Sequence, residues 1–133
     1  MRYLLDTDTW IWLLRRREPV VSRVIAESPE DLAIASMTLA ELYFGALNSR
    51  QPEREEEKIE RLIFQIADVI AFDQGSARIH AELRHALRAN RISDRDLVIA
   101  SVAVANSLAL VTSNRREFSR VPGLRLEDWM VAA

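Results

Sequence analysis

The side chains best suited to chemistry in this sequence are carboxylates. They are Asp6 with Asp8 close behind it, Glu41, the pair Asp94 and Asp96, and Glu117 beside the polar run Thr112-Ser113-Asn114. Each also has an ordinary duty. Thr38-Leu39-Ala40-Glu41 has the T-x-x-E form of a capping box, and Ser93-Asp94-Arg95-Asp96 is its S-x-x-D variant. Asn114 with Glu117 resembles a cap and its third-position partner, and Asp6, Thr7 or Thr9 is placed to cap a first helix. A cap needs one carboxylate per helix and never asks several to meet. If these groups converge, their repulsion requires a cation. A hard divalent ion, Mg²⁺ or Mn²⁺, prefers carboxylate and water oxygens. Such an ion activates water and neutralises phosphoryl charge. The expected chemistry is in-line hydrolysis of a phosphodiester, without a histidine or a covalent intermediate.

Other routes lack their parts. Paired acid–base histidines must converge, and His80 and His85, five residues apart on a helix, point about 140° apart around its axis. Ser36, Ser93 and Ser101 have no evident histidine partner for a triad. Gly45, Gly75 and Gly123 are the only glycines, so there is no glycine-rich phosphate loop. The absence of cysteine excludes disulfides, thiolate metal sites and thiol nucleophiles.

The elements that must position the carboxylates alternate along the chain. Tyr3–Leu5, Leu32–Ala35 and residues 108–111 are short apolar runs of the kind that form buried parallel strands, with residues 69–72 and an edge candidate at 124–126. Helical patterns fall at residues 9–16, 19–27, 38–48, 52–66, 76–89 and 94–106. In the fourth, Ile59, Leu62, Ile63 and Ile66 make the apolar stripe, and the acidic front from Glu53 to Glu57 suits the helix dipole. This alternation predicts a three-layer α/β/α sandwich with a mostly parallel sheet of about five strands. Ligands on such sheets bind outside the carboxyl ends of the strands, and every acidic cluster named above falls at that edge.

At 133 residues the chain is expected to be a single domain. Its 49% hydrophobic and 29% charged content is that of a globular protein. No apolar run approaches the roughly 20 residues that span a bilayer, and the stretch before Asp6 is too short for a secretion signal. A cytoplasmic location is therefore expected. The net charge of −2 is not that of a typical nucleic-acid binder. Yet Lys58 is the only lysine among the eighteen basic residues, and arginine is the better bidentate ligand for phosphate.

Three motifs, in order, resemble those of the PIN-domain ribonucleases, and of VapC-type toxins of type II toxin–antitoxin systems in particular. Leu4-Leu5-Asp6-Thr7-Asp8-Thr9 resembles the opening motif, and the stretch from Ser36 through Glu41 to Ala46 resembles the second. Ile92-Ser93-Asp94-Arg95-Asp96-Leu97-Val98-Ile99-Ala100 resembles the third, where the metal-binding aspartate directly precedes the apolar stretch. That match selects Asp96 over Asp94. Residues 110–118 and 121–129 resemble the typical ending, except that Asn114 stands where many relatives carry an aspartate.

The resemblance implies a single PIN domain over residues 1–133 and an Mg²⁺- or Mn²⁺-dependent endoribonuclease. Asp6, Glu41 and Asp96 would serve as catalytic metal ligands, with Asn114, Glu117, Asp94, Asp8 and Thr112 as auxiliaries. It further implies cleavage of tRNA or another structured RNA to a 5′-phosphate and a 3′-hydroxyl, a homodimer, and a VapB-like antitoxin covering the acidic groove with a basic side chain. Arg15, Arg115 and Arg116 are candidates for RNA phosphates, and Trp10 and Trp12 for an antitoxin-facing surface or the core. Two alternatives stand beside this reading. A haloacid-dehalogenase-like phosphatase would use Asp6 and Asp8 as its D-x-D pair, but its lysine would have to be Lys58, in a glutamate-rich helix front. A non-catalytic PIN-like binding module would ordinarily have lost one of the core acids, and all three are present.

Overall fold

The apolar runs alternate between two cores. In the computed structural model, which describes residues 1–131, Tyr3, Leu5, Leu32, Ile34, Ala109 and Val111 pack into one hydrophobic cluster, while Leu4, Ala33, Ala35, Leu108 and Leu110 pack into another. Side chains of a strand alternate between faces, so strands that are apolar at every position must be covered on both. The sheet is accordingly the middle of three layers.

Its strands are β1 (Tyr3–Leu5), β2 (Leu32–Ala35), β3 (Asp68–Ile70), β4 (Ala109–Val111) and β5 (Leu126–Glu127). They are all parallel and run in the order β3-β2-β1-β4-β5. Helices α1 (Thr7–Leu14), α2 (Val20–Ile25), α3 (Ser36–Leu47) and α4 (Pro52–Ile66) supply the first cluster with Leu13, Val24, Leu42 and Ile63. Helices α5 (Gln74–Ala86) and α6 (Asp94–Ala105) supply the second with Leu83, Leu97 and Val102, and the short α7 (Arg115–Phe118) adds Phe118.

The expected strands at 69–72 and 124–126 are present but displaced by a residue or two, as ends of elements commonly are. One expectation is corrected and one open alternative is decided. The third helix begins at Ser36, not Thr38, with Ala35 at its cap and no side-chain capping bond. Thr38 and Glu41 are therefore inside the helix, and the capping-box reading of that motif fails. Trp10 is fully buried in the first cluster, so it is core and offers no surface to a partner; Trp12 is half-buried, its ring under the Arg17 guanidinium at 4.7 Å.

The strand order places the site. From β1 the chain moves outward to β2 and β3, then returns to the other side of β1 for β4. Adjacent connections leave β1 and β4 in opposite directions, opening a crevice at their carboxyl ends.

Candidate active site

Asp6 is the first residue past β1. Its extended backbone makes it the cap of α1, where Oδ1 accepts from the Thr9 amide at 3.0 Å and the Thr9 hydroxyl at 2.7 Å. The Thr9 hydroxyl also lies 3.1 Å from the Val111 carbonyl at the end of β4, tying the two strand ends together. Asp6 is only 6% exposed. Burial pushes its carboxyl up from the ordinary range, against the lowering effect of its bonds to Thr112 and Thr9.

Asp96 reaches the same crevice from the start of α6. Ser93 caps that helix as its sequence predicts, with its hydroxyl 3.3 Å from the Asp96 amide. Asp96 is pushed up to about 7, first by desolvation and then by its contact with Glu117. Glu117 moves the other way, lowered chiefly by the hydrogen bond from Asp96. Their contact thus favours the protonated form of the more buried Asp96 and the charged form of Glu117. Glu117 is further held by the Asn114 amide at 3.0 Å and the Ser93 backbone at 3.3 Å.

Glu41 enters from the second turn of α3. Its Oε1 accepts from the Thr7 hydroxyl at 2.6 Å, and its Oε2 lies 2.9 Å from Nη1 of Arg95. These partners are 34 and 54 residues away in the chain. Asp6, Glu41 and Asp96 line one open cavity of about 590 Å³, together with Asp8, Arg95 and Asn114.

The remaining candidates divide. Asp8 is on the rim of the cavity and exposed, while Thr112 is buried behind it and accepts from the Asn114 amide at 2.9 Å. Asn114 occupies the cap position of α7 without a side-chain capping bond; its amide goes to Glu117 instead. Asp94 faces a separate small recess with Arg84 and Arg91. None of the three proposed phosphate-binding arginines lines the cavity: Arg15 lines a recess beside α4, and Arg115 a pocket with Trp129. Arg116 is exposed on α7. Reading the sequence missed Arg95, Thr7 and Thr9. The signal for Arg95 was its place as the one cation inside the third acidic motif.

The donor set suits a hard divalent cation. It consists of carboxylate and amide oxygens, and among the described residues neither Asp6 nor Asp96 has a salt-bridge partner. Asp6 and Asp96 are raised above the ordinary carboxylate range chiefly by burial and secondarily by neighbouring carboxylates, a combination that a bound cation would offset. Among the described residues, however, no three acidic side chains stand ready as a cage. Thr7 and Arg95 hold Glu41, and Glu117 holds Asp96, so side chains must turn to share an ion.

Comparison with known proteins places this architecture. The PIN-domain family matches residues 3–124. The tRNA(fMet)-specific endonuclease VapC of Salmonella typhimurium is 34% identical, with 97% of this chain and 98% of that protein covered. The Shigella flexneri protein of the same name is 36% identical over the same shares. Among solved structures, the DNA-bound VapBC complex from Salmonella typhimurium superposes with a TM-score of 0.91 at 33% identity, covering 97% of this chain and 98% of the solved one. The chain belongs to the PIN-domain family. Within it, relatives that match over nearly their full length include VapC endonucleases and ribonucleases, and solved neighbours include a member of the VapBC family of toxin–antitoxin systems from Mycobacterium tuberculosis.

Proposed function

We propose that this chain is a divalent-metal-dependent endoribonuclease toxin of the VapC type, acting as a single domain on tRNA and restrained by a VapB-like antitoxin. The observation that carries the reading is the convergence of Asp6, Glu41 and Asp96, from three separate elements, on one cavity at the switch point of the sheet. The tRNA substrate follows the names of the relatives. Mg²⁺ or Mn²⁺ fits the oxygen donors better than a softer ion does.

In this mechanism Asp6, Asp96 and Glu41 hold the cation, with Asn114 and Glu117 behind them. When bound, that cation supplies charge neutralisation for the phosphate and activation of the attacking water. Asp6 is fixed by Thr9 and Thr112, so it approaches in one orientation. Asp96, whose protonated form is favoured by burial, would ligate as the carboxylate, so cation binding would be accompanied by loss of a proton. Glu117, whose carboxyl is held below the ordinary range, would not keep that proton, so it would pass to solvent. Asp8, exposed on the rim, adds to the field rather than to the cage, and Asp94, in its separate recess beside a helix capped by Ser93, lies outside the metal site.

The partner reading rests on a different surface. Leu13, Leu14, Val21, Ile25, Leu62 and Ile66, from α1, α2 and α4, line an apolar groove of about 530 Å³, edged by Arg16, Lys58 and Arg61. Apolar surface of this kind marks a protein-binding site, and its basic edge suits an apolar segment carrying acidic residues. A two-fold homodimer belongs to the same proposal. Its candidate surface is Phe64, Val69 and Phe72, all exposed and clustered from the end of α4 to the approach to α5, around the edge strand β3.

The deciding experiment incubates the purified chain with total RNA and Mg²⁺ or Mn²⁺, with and without EDTA, and maps the cut ends. Discrete cleavage leaving 5′-phosphates, lost in EDTA, is expected. Intact RNA under every condition overturns the nuclease reading. Induction in cells should arrest growth, and co-expression of the neighbouring gene's product should relieve it.

A further inference from the structure

The cavity that must receive an RNA phosphate is lined by four carboxylates and, among the described residues, one basic side chain, Arg95. An acidic wall repels a phosphodiester, so a substrate-facing cation is needed besides any metal. Arg95 stands at the mouth: its side chain is 69% exposed, against 20% for Glu41, to which it is paired. The pair joins Nη1 of the guanidinium to Oε2 of the carboxylate. A guanidinium has five N–H donors in a planar fork that matches phosphate geometry, so this one bond leaves it chemically able to take a second anion.

We infer that Arg95 is the phosphate-binding side chain of this site, held on Glu41 in the free protein and passed to the RNA when Glu41 turns to the metal. This rests on the reading of Glu41 as a metal ligand. The exchange is electrostatically closed. The cation replaces the guanidinium as counter-charge to Glu41, and the phosphate replaces Glu41 as counter-charge to Arg95. Arg95 therefore opposes metal binding and favours RNA binding. Thr7 keeps its hydrogen bond on the other Glu41 oxygen and can hold the carboxylate in place during the handover.

Opposite signs make the test sharp. Mn²⁺ affinity is measured by calorimetry without RNA, and KM and kcat with a short RNA, for the intact chain, Arg95→Ala, Arg95→Lys and Glu41→Gln. In Arg95→Ala, Mn²⁺ should bind several-fold more tightly because a competing cation is gone. KM should rise about tenfold, the lower end for a lost charge-assisted hydrogen bond at an exposed position. Arg95→Lys should restore part of both effects. A packing role would move the two affinities together or neither. If Glu41→Gln weakens Mn²⁺ binding while Arg95→Ala changes neither Mn²⁺ affinity nor KM, the role of Arg95 is overturned and the metal site stands. If Glu41→Gln leaves Mn²⁺ affinity unchanged, Glu41 is no ligand, and the inference falls with that reading.

Discussion

The acidic cavity and the apolar groove share helix α1 yet are built on opposite terms. The first turn of α1 places Asp6 and Asp8 at the cavity, and its last residues, Leu13 and Leu14, belong to the groove. In the cavity the fold gathers like charges, raises Asp6 and Asp96 by burial and lowers Glu117 beside Asp96. In the groove it leaves apolar surface in water, with Ile25 77% exposed. Neither arrangement favours the isolated chain. A dense carboxylate cluster is stabilised by a cation, and an open apolar groove by a partner's side chains. On the proposed reading, chemistry and restraint use separate surfaces, which single substitutions should be able to uncouple.

The largest effect is expected in the cavity. Asp6→Asn and Asp96→Asn should each lower RNA cleavage by at least roughly 10²-fold, the scale of losing one group that stabilises developing charge. Both should fold. Asn still caps α1, and removing a desolvated carboxylate should leave the metal-free Tm unchanged or higher. Asp94→Asn, in its separate recess, should change cleavage only a few-fold; an equal loss would break the choice of Asp96.

The groove should respond the other way. Ile25→Asp should weaken binding of the inhibitory partner by about tenfold or more, as loss of an interface anchor does. Its cleavage of RNA should match that of the unsubstituted chain. A parallel loss of cleavage would mean that the two surfaces are not separate.

A smaller effect is expected from pH. Asp96 stands near 7 in the folded protein against 3.8 for an unperturbed aspartate. A raised folded pKa adds stability that is complete below the unfolded value and is lost as pH climbs through the folded one. The metal-free Tm should therefore fall between about pH 5 and pH 8, with Asp6 contributing in the same direction. Glu117, lowered from 4.5, acts oppositely but only below that value, outside this window. Asp96→Asn should flatten the slope. Thermal melts across the range, for both proteins, decide it.

The smallest effect sharpens the comparison from behind the cavity. Thr9→Val keeps shape but removes the hydroxyl that bonds Asp6 beside the Val111 carbonyl. About 1 kcal/mol of stability should be lost, read as a Tm lower by a few degrees. Groove binding should not change.

By itself the sequence determined what is local or periodic. Uniformly apolar runs specify strands buried on both faces, the stripe of Ile59, Leu62, Ile63 and Ile66 specifies an amphipathic α4, and Ser93 specifies the start of α6. These depend on neighbours within a few residues, so the order of residues is enough. It also ordered the acids along one edge, because strand–helix alternation has few right-handed solutions. Tertiary structure decided which polar group meets which. Thr38-x-x-Glu41 has the form of a cap, yet β2 runs straight into α3 at Ala35, and Glu41 turns to Thr7 and Arg95. Asn114 and Glu117 look like cap and partner, yet the Asn114 side chain makes no capping bond and Glu117 accepts from it and from the Ser93 backbone. Trp10 was equally suited to surface and core until packing buried it. Among the arginines of the described residues, only Arg95 lines the cavity. A charged side chain finds its partner by proximity in three dimensions, and distances between residues 54 positions apart exist only once the sheet has closed β1 between β2 and β4.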